Sequence, residues 1–252
     1  MAEAERAEAG PGGADKEHRA VSRVAAILEA AAAAEDGITL ARAAHDLGAP
    51  KSSVYGLIKG LVAVGYLTEG GGRYQLGPGI QALVLPSQEP PLAKVARDAM
   101  ARLRLRFDES VSLGLRAGDS IVYLASHESR QIIKYSVPLN QRRPLFPTSM
   151  GKIYLAELSE QQLERYLGTR VSDPAALDRY LAEFRQIRRT GVALNHGETV
   201  PEVFGAASGI RRRGKLVACV SLAGPTERLQ CREAEIADAV RAAATEISAL
   251  LR

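Results

Sequence analysis

The hydrophobic positions of the chain follow two different patterns. In the first 80 residues they recur at helical spacing: Val21, Val24, Ile27 and Leu28 fall on one face, which predicts a helix over 18–34. Beyond residue 92, helical segments alternate with short strands in which apolar and polar residues alternate. Strands that are flanked by helices in this way indicate an α+β fold.

Two further helices are predicted soon after the first. Thr39 is placed to cap a short helix over 40–47, which Gly48 ends. Pro50 favours the start of a third helix over 51–64. A helix, a tight turn and a second helix form a helix-turn-helix, the arrangement that presents its second helix to the DNA major groove.

The third helix has an apolar face and an opposite face that is rich in hydrogen-bond donors. The apolar face carries Val54, Leu57, Ile58 and Leu61, whereas Ser52, Tyr55, Gly56 and Lys59 share the other. Hydroxyl and amine donors suit phosphates and base edges, and a helix N-terminus favours a phosphate. The DNA contacts that we predict are Lys51, Ser52, Ser53, Tyr55, Lys59 and, from the hairpin described next, Arg73.

A glycine-rich hairpin follows the third helix. Residues 66–69 and 73–76 read as two short strands, and three consecutive glycines join them. This hairpin is the expected wing of a winged helix-turn-helix over 18–77, with Arg73 at its base. A small helical bundle with a solvated third helix is the alternative interpretation of the same pattern.

Composition and charge exclude some classes of protein but do not identify one. The net charge is +4, but charges nearly cancel within 18–76, so the sum does not argue for DNA binding. No apolar run reaches the roughly 18 residues that cross a bilayer. Residues 1–17 lack the apolar core of a secretory signal, and we expect a disordered tail and a cytoplasmic protein. Two cysteines, Cys219 and Cys231, make no disulfide framework, and no cofactor is predicted.

The first third of the chain resembles the DNA-binding domain of the IclR family. The matching segments are 19–28 (RAVSRVAAIL), 50–55 (PKSSVY), 61–67 (LVAVGYL) and 74–77 (YQLG). One departure concerns DNA: the position after the aromatic residue of the third helix, which is usually Arg in the family, is Gly56 here. The resemblance also implies a helix in the linker that we place at 78–91, followed by a stiff proline-rich connector.

The remaining residues, 92–252, predict one further domain. Helices are expected over 92–107, 149–158, 160–167, 174–190 and 233–251. Strands are expected over 110–116, 121–127, 131–137, 192–194, 206–212 and 216–223.

This half resembles the GAF-like α/β effector domain of the same family, which binds a small molecule and mediates oligomerisation. The resemblance is carried by 145–152 (LFPTSMGK), 191–198 (GVALNHGE) and 221–225 (SLAGP). It implies an effector site formed by Met150, Gly151, Asn195, Ser221 and Ala223.

Three positions of this site depart from the family's pattern. A common Asp is Asn195, a second Ser is Ala223, and Gly205 stands where a small polar residue or Cys is frequent. Each change removes a charge or a hydrogen-bonding group. We therefore expect an effector with an apolar or aromatic body and few polar ends, rather than a two- or three-carbon oxoacid.

Several catalytic interpretations are weaker. Gly118-Asp119-Ser120-Ile121 looks like a lipase motif but lies between two predicted strands, which indicates a turn. His127 and His196 are expected at strand ends or on the surface. The segment 195–198 (NHGE) is a poor metal motif. Catalysis is not predicted.

The sequence thus predicts a transcriptional regulator that shifts between two states. A homodimer or a dimer of dimers would hold the recognition helices on a palindromic operator, and an effector would change their spacing and release the repressor. Two other classes stay open: a GAF-like module or enzyme whose N-terminal domain contacts proteins, and an architectural DNA binder without a ligand.

Overall fold

The computed structural model describes residues 18–84 and 92–251. It divides into two compact units, Met1–Ser87 and Gln88–Arg252. The expected tail at 1–17 and the expected connector at 85–91 lie outside the described residues. Each unit is considered separately below.

The N-terminal unit is a three-helix domain with a small antiparallel sheet. Its elements are α1 (Arg19–Ala33), β1 (Ile38–Thr39), α2 (Leu40–Asp46), α3 (Lys51–Ala63), β2 (Leu67–Gly70), β3 (Arg73–Leu76) and α4 (Pro78–Val84). The strand order is β1-β3-β2. Its core joins all three layers through Ile27, Val54, Ile58, Leu67 and Tyr74, each nearly inaccessible to solvent.

The turn chemistry predicted for this unit is present in the structure. Thr39 Oγ1 accepts a hydrogen bond from the Arg42 amide at 3.2 Å and so caps α2. Gly48 adopts a left-handed backbone, with φ of 54°, after the helix. Val21 was predicted to lie on the apolar face of α1, but it is 67% exposed. The buried residues of this helix, Ile27 and Ala31, lie farther along it.

The predicted linker begins with a helix. α4 starts at Pro78 immediately after β3, and it groups with the N-terminal unit. The Gly79 amide donates to the carbonyl of Gly65, so the start of α4 is bound to the turn that follows α3.

The C-terminal unit is a sheet covered by helices. Its elements are α5 (Leu92–Phe107), β4 (Ser110–Ala117), β5 (Ser120–His127), β6 (Arg142–Pro144), α6 (Ser149–Leu155), α7 (Glu160–Gly168), α8 (Pro174–Thr190), β7 (Val192–His196), β8 (Val203–Arg212), β9 (Lys215–Pro225), α9 (Thr226–Leu229), a 3₁₀ turn (Gln230–Arg232) and α10 (Glu233–Leu250). Within the described residues the sheet is antiparallel throughout, with strand order β6-β5-β4-β9-β8-β7.

Alternation along the strands gives this sheet two buried faces. On one face, Val220 and Ala206 pack under α5 and α10. On the other, Cys219 and Ala207 pack under α6, α7 and α8. Neighbouring residues therefore point to opposite layers, as period-two geometry requires. The second face, under the start of α6, holds the site described below.

The strand predicted over 131–137 was wrong. The structure has no strand between β5 and β6, and Ile132 and Ile133 are exposed by 99% and 71%. The physical reason is local bonding: Ser129 donates to the Asp108 carbonyl at 2.5 Å and the Gln131 amide group to the Asp108 carboxylate at 2.8 Å. These bonds draw the segment away from the sheet edge, which pairs instead with β6.

Candidate functional site

The exposed face of α3 is the candidate DNA-binding surface. Lys51, Ser52, Ser53 and Tyr55 are all exposed, while Val54, Ile58 and Leu61 on the opposite face are buried. α3 begins at Lys51, and its N-cap residue Pro50 provides no side-chain cap, so a phosphate can approach the backbone N–H groups at this helix start. The arrangement can present donors to a nucleic acid groove.

Lys59 and Arg73, which were also predicted to contact DNA, have partners within the protein. Lys59 Nζ donates to the Glu69 carboxylate of β2 at 2.8 Å, and Tyr74 Oη donates to the same carboxylate at 3.3 Å. The hydrogen bond between Lys59 and Glu69 raises the pKa of Lys59 and lowers that of Glu69. Arg73 donates to the Gly37 carbonyl at 3.1 Å. Both cations therefore hold the wing, and each retains N–H groups that these bonds leave unused.

The candidate effector site is a small cavity beneath the start of α6. Its volume is about 40 Å³. The floor comes from inner-face residues of the sheet, and the other walls come from the start of α6 and from the segments before β6 and after β7. The lining residues are Ser112, Tyr123, Tyr135, Val137, Thr148, Ser149, Asn195, Thr199, Val200, Val203, Gly205, Ser221 and Ala223.

These lining residues carry no charge. They offer hydroxyl groups, two phenol rings, one amide and small apolar side chains. Burial raises the pKa of Tyr123 far above its usual value, so the phenol stays neutral and can donate a hydrogen bond. A site of this kind pairs with hydroxyl or carbonyl groups on an apolar or aromatic body, whereas a buried carboxylate would find no cation in the lining.

Asn195 has a structural reason to be an amide rather than an acid. Its side-chain nitrogen donates to the Pro147 carbonyl at 2.7 Å and to Thr199 Oγ1 at 2.9 Å. A carboxylate could accept but not donate, so it could not bond to that carbonyl. Asn195 thereby joins the loop before α6 to the loop after β7, and its oxygen is left to accept from a ligand.

The structure separates the five effector residues implied by the resemblance. Asn195, Ser221 and Ala223 line the cavity, but Met150 and Gly151 do not. Met150 points into the core, with its sulfur against Gly114. A Cβ on Gly151 would stand 1.8 Å from the Leu145 carbonyl oxygen, so glycine is required there for packing. From this stretch of chain, Thr148 and Ser149 face the cavity instead.

A buried cation lies one turn along the same helix. Lys152 is 1% exposed, and its three N–H groups are matched by the Glu183 carboxylate at 2.8 Å, the Glu198 carboxylate at 2.7 Å and the Leu194 carbonyl at 3.0 Å. Burial raises the pKa of Glu183, and the nearby ammonium opposes that shift. Two carboxylates thus share a single buried ammonium.

The catalytic motifs considered from the sequence are accounted for structurally. Gly118, with φ of 64°, turns the β4–β5 hairpin, and Asp119 binds Arg170 at 2.6 Å. His196 pairs with Glu233 at 2.7 Å. Among residues 18–84 and 92–251, no three His, Cys, Asp or Glu side chains gather where they could hold a metal ion.

Two family models match the chain in the order of its two units. The model of the IclR helix-turn-helix domain covers residues 20–71, and that of the bacterial transcriptional regulator IclR C-terminal domain covers 87–249. The chain belongs to the IclR family. It is a ligand-responsive, DNA-binding transcriptional regulator, with an N-terminal helix-turn-helix and a C-terminal effector domain.

Two curated relatives of this IclR-family chain are transcriptional regulators that it matches over most of their length. The regulator BhcR of Paracoccus denitrificans is 30% identical over 244 residues, which cover 91% of this chain and 86% of the relative. The repressor AllR of Escherichia coli is 27% identical over 254 residues, covering 94% and 92%.

Solved structures of the IclR family share the fold. An IclR-family regulator from a Rhodococcus species is 30% identical, with a TM-score of 0.57 and coverage of 97% of this chain and 98% of that one. An IclR homologue from Microbacterium hydrocarbonoxydans, solved with 4-hydroxybenzoate, is 24% identical, with a TM-score of 0.72 and coverage of 92% and 99%.

Most residues whose hydroxyl groups line the cavity were not predicted as site residues from the sequence of this IclR-family protein. Tyr123 and Ser112 lie on correctly predicted strands, and their period-two positions could have placed them on the inner face. Tyr135 lies in the segment wrongly predicted as a strand. Thr199 and Val200 belong to a loop, where no periodicity exists to orient a side chain.

Among the residues that the structure describes, no helix is both long enough and apolar enough to cross a membrane.

Proposed function

We propose that this protein is a repressor that leaves its operator when a small, uncharged aromatic compound occupies the cavity beneath α6. The observation that carries the proposal is the lining itself, which combines two phenol rings with hydroxyl groups and an amide and has no charged residue. The relative named as a repressor supports the repressor part by analogy, and the Microbacterium homologue solved with 4-hydroxybenzoate supports an aromatic body, although that ligand carries a carboxylate.

The effector residues that we propose are Asn195, Ser221 and Ala223, with Tyr123 and Ser149 beside them. Met150 and Gly151 are proposed to act indirectly, because they set how α6 packs over the cavity. An aromatic ring would contact the small residues of the floor, and its hydroxyl group would bond to the amide or to a tyrosine.

The DNA contacts that we propose come from the exposed face of α3. Lys51, Ser52 and Ser53 would bind phosphates at the uncapped helix start, and Tyr55 would reach base edges. Lys59 and Arg73 would support the wing and touch phosphates with their remaining N–H groups. Gly56 lacks the side chain that the family usually offers there, so the operator preference should differ from that of Arg-containing members.

The assembly that we propose is a homodimer, alone or as a pair of dimers, on a palindromic operator. Effector binding would favour a dimer with a different spacing of its recognition helices, and linkage then lowers the affinity for DNA. An operator-binding protein works where the chromosome is, so the cytoplasm is the proposed compartment. We assign no catalytic residue.

Two measurements test this proposal. The first is a gel-shift titration with DNA from upstream of the protein's own gene and excess competitor DNA. A specific shift is expected, and binding no tighter than to bulk DNA at any genomic site would refute the regulator assignment for this chain.

The second measurement compares ligands by calorimetry. The set is 4-hydroxybenzamide, 4-hydroxybenzoate, glyoxylate and pyruvate. We expect 4-hydroxybenzamide to bind at least as tightly as the carboxylate of the same shape, because the lining has no cation. Binding of only the two oxoacids would overturn the proposed effector class.

A further inference from the structure

Strand β7 separates two spaces of very different size. On its inner side, Asn195 faces the cavity of about 40 Å³. On its outer side, Leu194 and His196 face an open groove of about 630 Å³ between α8 and α10. The loop 197–202 continues this division, because Thr199 and Val200 line the cavity whereas Glu198 lines the groove.

The cavity is too small for the effector class proposed above. A cavity that accepts a benzene ring has a volume of roughly 150 Å³, several times the volume found here. At least one wall must therefore move before an aromatic ligand can bind. Strands β5, β4, β9 and β8 are hydrogen-bonded on both sides, and every residue of α6 is buried, so neither the central sheet nor α6 can move cheaply.

Of the two walls that lie outside the sheet and α6, the loop 197–202 is the one that also borders the groove. Its two ends have left-handed backbone conformations, with φ of 80° at Gly197 and 64° at Glu202. The side chains of the loop are held by the Asn195–Thr199 hydrogen bond and the Lys152–Glu198 ion pair, and its backbone is held by hydrogen bonds of the Gly197, Val203 and Thr226 amides. A residue such as Glu202 is strained at positive φ, so a change of backbone conformation there relieves strain.

The charge arrangement around Lys152 makes this movement electrostatically feasible. A buried ammonium with one carboxylate would be left unpaired if that carboxylate departed, which is strongly unfavourable. Lys152 has two: Glu198 on the loop and Glu183 on helix α8. When Glu198 leaves with the loop, Glu183 stays, and the buried charge remains compensated.

We infer that the loop 197–202 is a gate between the groove and the effector cavity, and that Lys152 and Glu183 form the fixed half of its latch. Opening the gate joins the cavity to the groove and admits the ligand from that side. The need for a larger cavity rests on the proposed aromatic effector, but the gate can be tested without any ligand.

Hydrogen exchange of backbone amides in the full-length protein tests the gate. The reporters are the amide of Gly197, which donates to the Val203 carbonyl, and the amide of Val203 at the start of β8, which donates to the Val200 carbonyl. Two variants carry the test, Glu198→Gln and Glu183→Gln. Glu227→Gln is the matched control, because Glu227 is exposed, carries the same charge and lies on α9 near the loop.

The two variants are expected to act in opposite directions. Glu198→Gln weakens the latch and should speed exchange of both reporter amides by about tenfold. Glu183→Gln leaves Glu198 as the last counter-ion of Lys152, so opening becomes harder and exchange should slow. Glu227→Gln should match the wild type, and amides of the central strand β4 should stay protected in all variants.

Faster exchange in both Glu198→Gln and Glu183→Gln would overturn the gate, because it would show a cluster that only supports the local fold. Unchanged exchange in Glu198→Gln would overturn it as well. If Glu198→Gln also loses protection in β4, the direction of the Glu183→Gln effect decides alone. None of these results depends on whether 4-hydroxybenzamide binds, so the gate and the effector class can fail separately.

Discussion

Helices α3 and α6 carry the same kinds of residue and use them in opposite ways. Each combines serine, glycine and lysine near its start. In α3 these residues face solvent, and only Val54, Ile58 and Leu61 are buried. In α6 all seven residues are buried. The comparison teaches that burial, more than residue type, decides whether a lysine or glycine serves recognition or packing.

The largest difference is expected between the two paired lysines. Lys152→Met should lower the free energy of unfolding of its unit by about 3–5 kcal/mol, because Glu183 and Glu198 lose the buried charge that compensates them. Lys59→Met should cost far less, since its pair with Glu69 is solvent-exposed. Urea unfolding of both variants checks this. Equal costs would show that burial does not separate the two pairs.

Alanine substitutions of Gly151 in α6 and Gly56 in α3 are expected to change the stability in opposite directions. Gly151→Ala should destabilise the protein by about 1–3 kcal/mol or more, because its Cβ would collide with the Leu145 carbonyl. Gly56→Ala meets no atom within 4 Å and should stabilise α3 by up to about 1 kcal/mol. Thermal unfolding of each variant is the measurement, and a destabilising Gly56→Ala would contradict the exposed placement of that face.

The smallest of these effects concerns the cations of the DNA-binding unit. Lys51→Ala should weaken binding to all DNA sequences alike and reduce the slope of log affinity against log salt by about one. Lys59→Ala should change that slope less, because Glu69 already engages its ammonium. Fluorescence anisotropy at several salt concentrations checks both variants. A larger reduction of the salt slope for Lys59→Ala than for Lys51→Ala would show that Lys59 is a main phosphate contact.

The sequence predicts the helices and most strands well because periodicity reports burial directly. α5 and α8 begin and end at the bounds that the apolar spacing predicts, 92–107 and 174–190. The segment 131–137 shows the limit. Its apolar residues follow a strand pattern, but hydrogen bonds to Asp108, far away in sequence, decide its path.

The candidate effector site is predicted less completely than the fold for the same reason. Asn195 and Ser221 lie on strands, where alternation and the family resemblance both apply. Met150 and Gly151 were placed by resemblance alone, and the structure uses them for packing. The pairing of Lys152 with Glu183 and Glu198 joins three distant segments, and no local pattern announces it.

The central claim is that ligand in the cavity beneath α6 controls DNA binding at α3. The most direct test is fluorescence anisotropy of labelled upstream DNA during titration with 4-hydroxybenzamide, for the wild type and for Ala223→Val, which narrows the cavity. Each curve is normalised to that protein's own affinity for DNA. The account predicts release from the wild type, and release from Ala223→Val only at about tenfold higher ligand concentration or more. Identical release curves, or no release from the wild type, would contradict it.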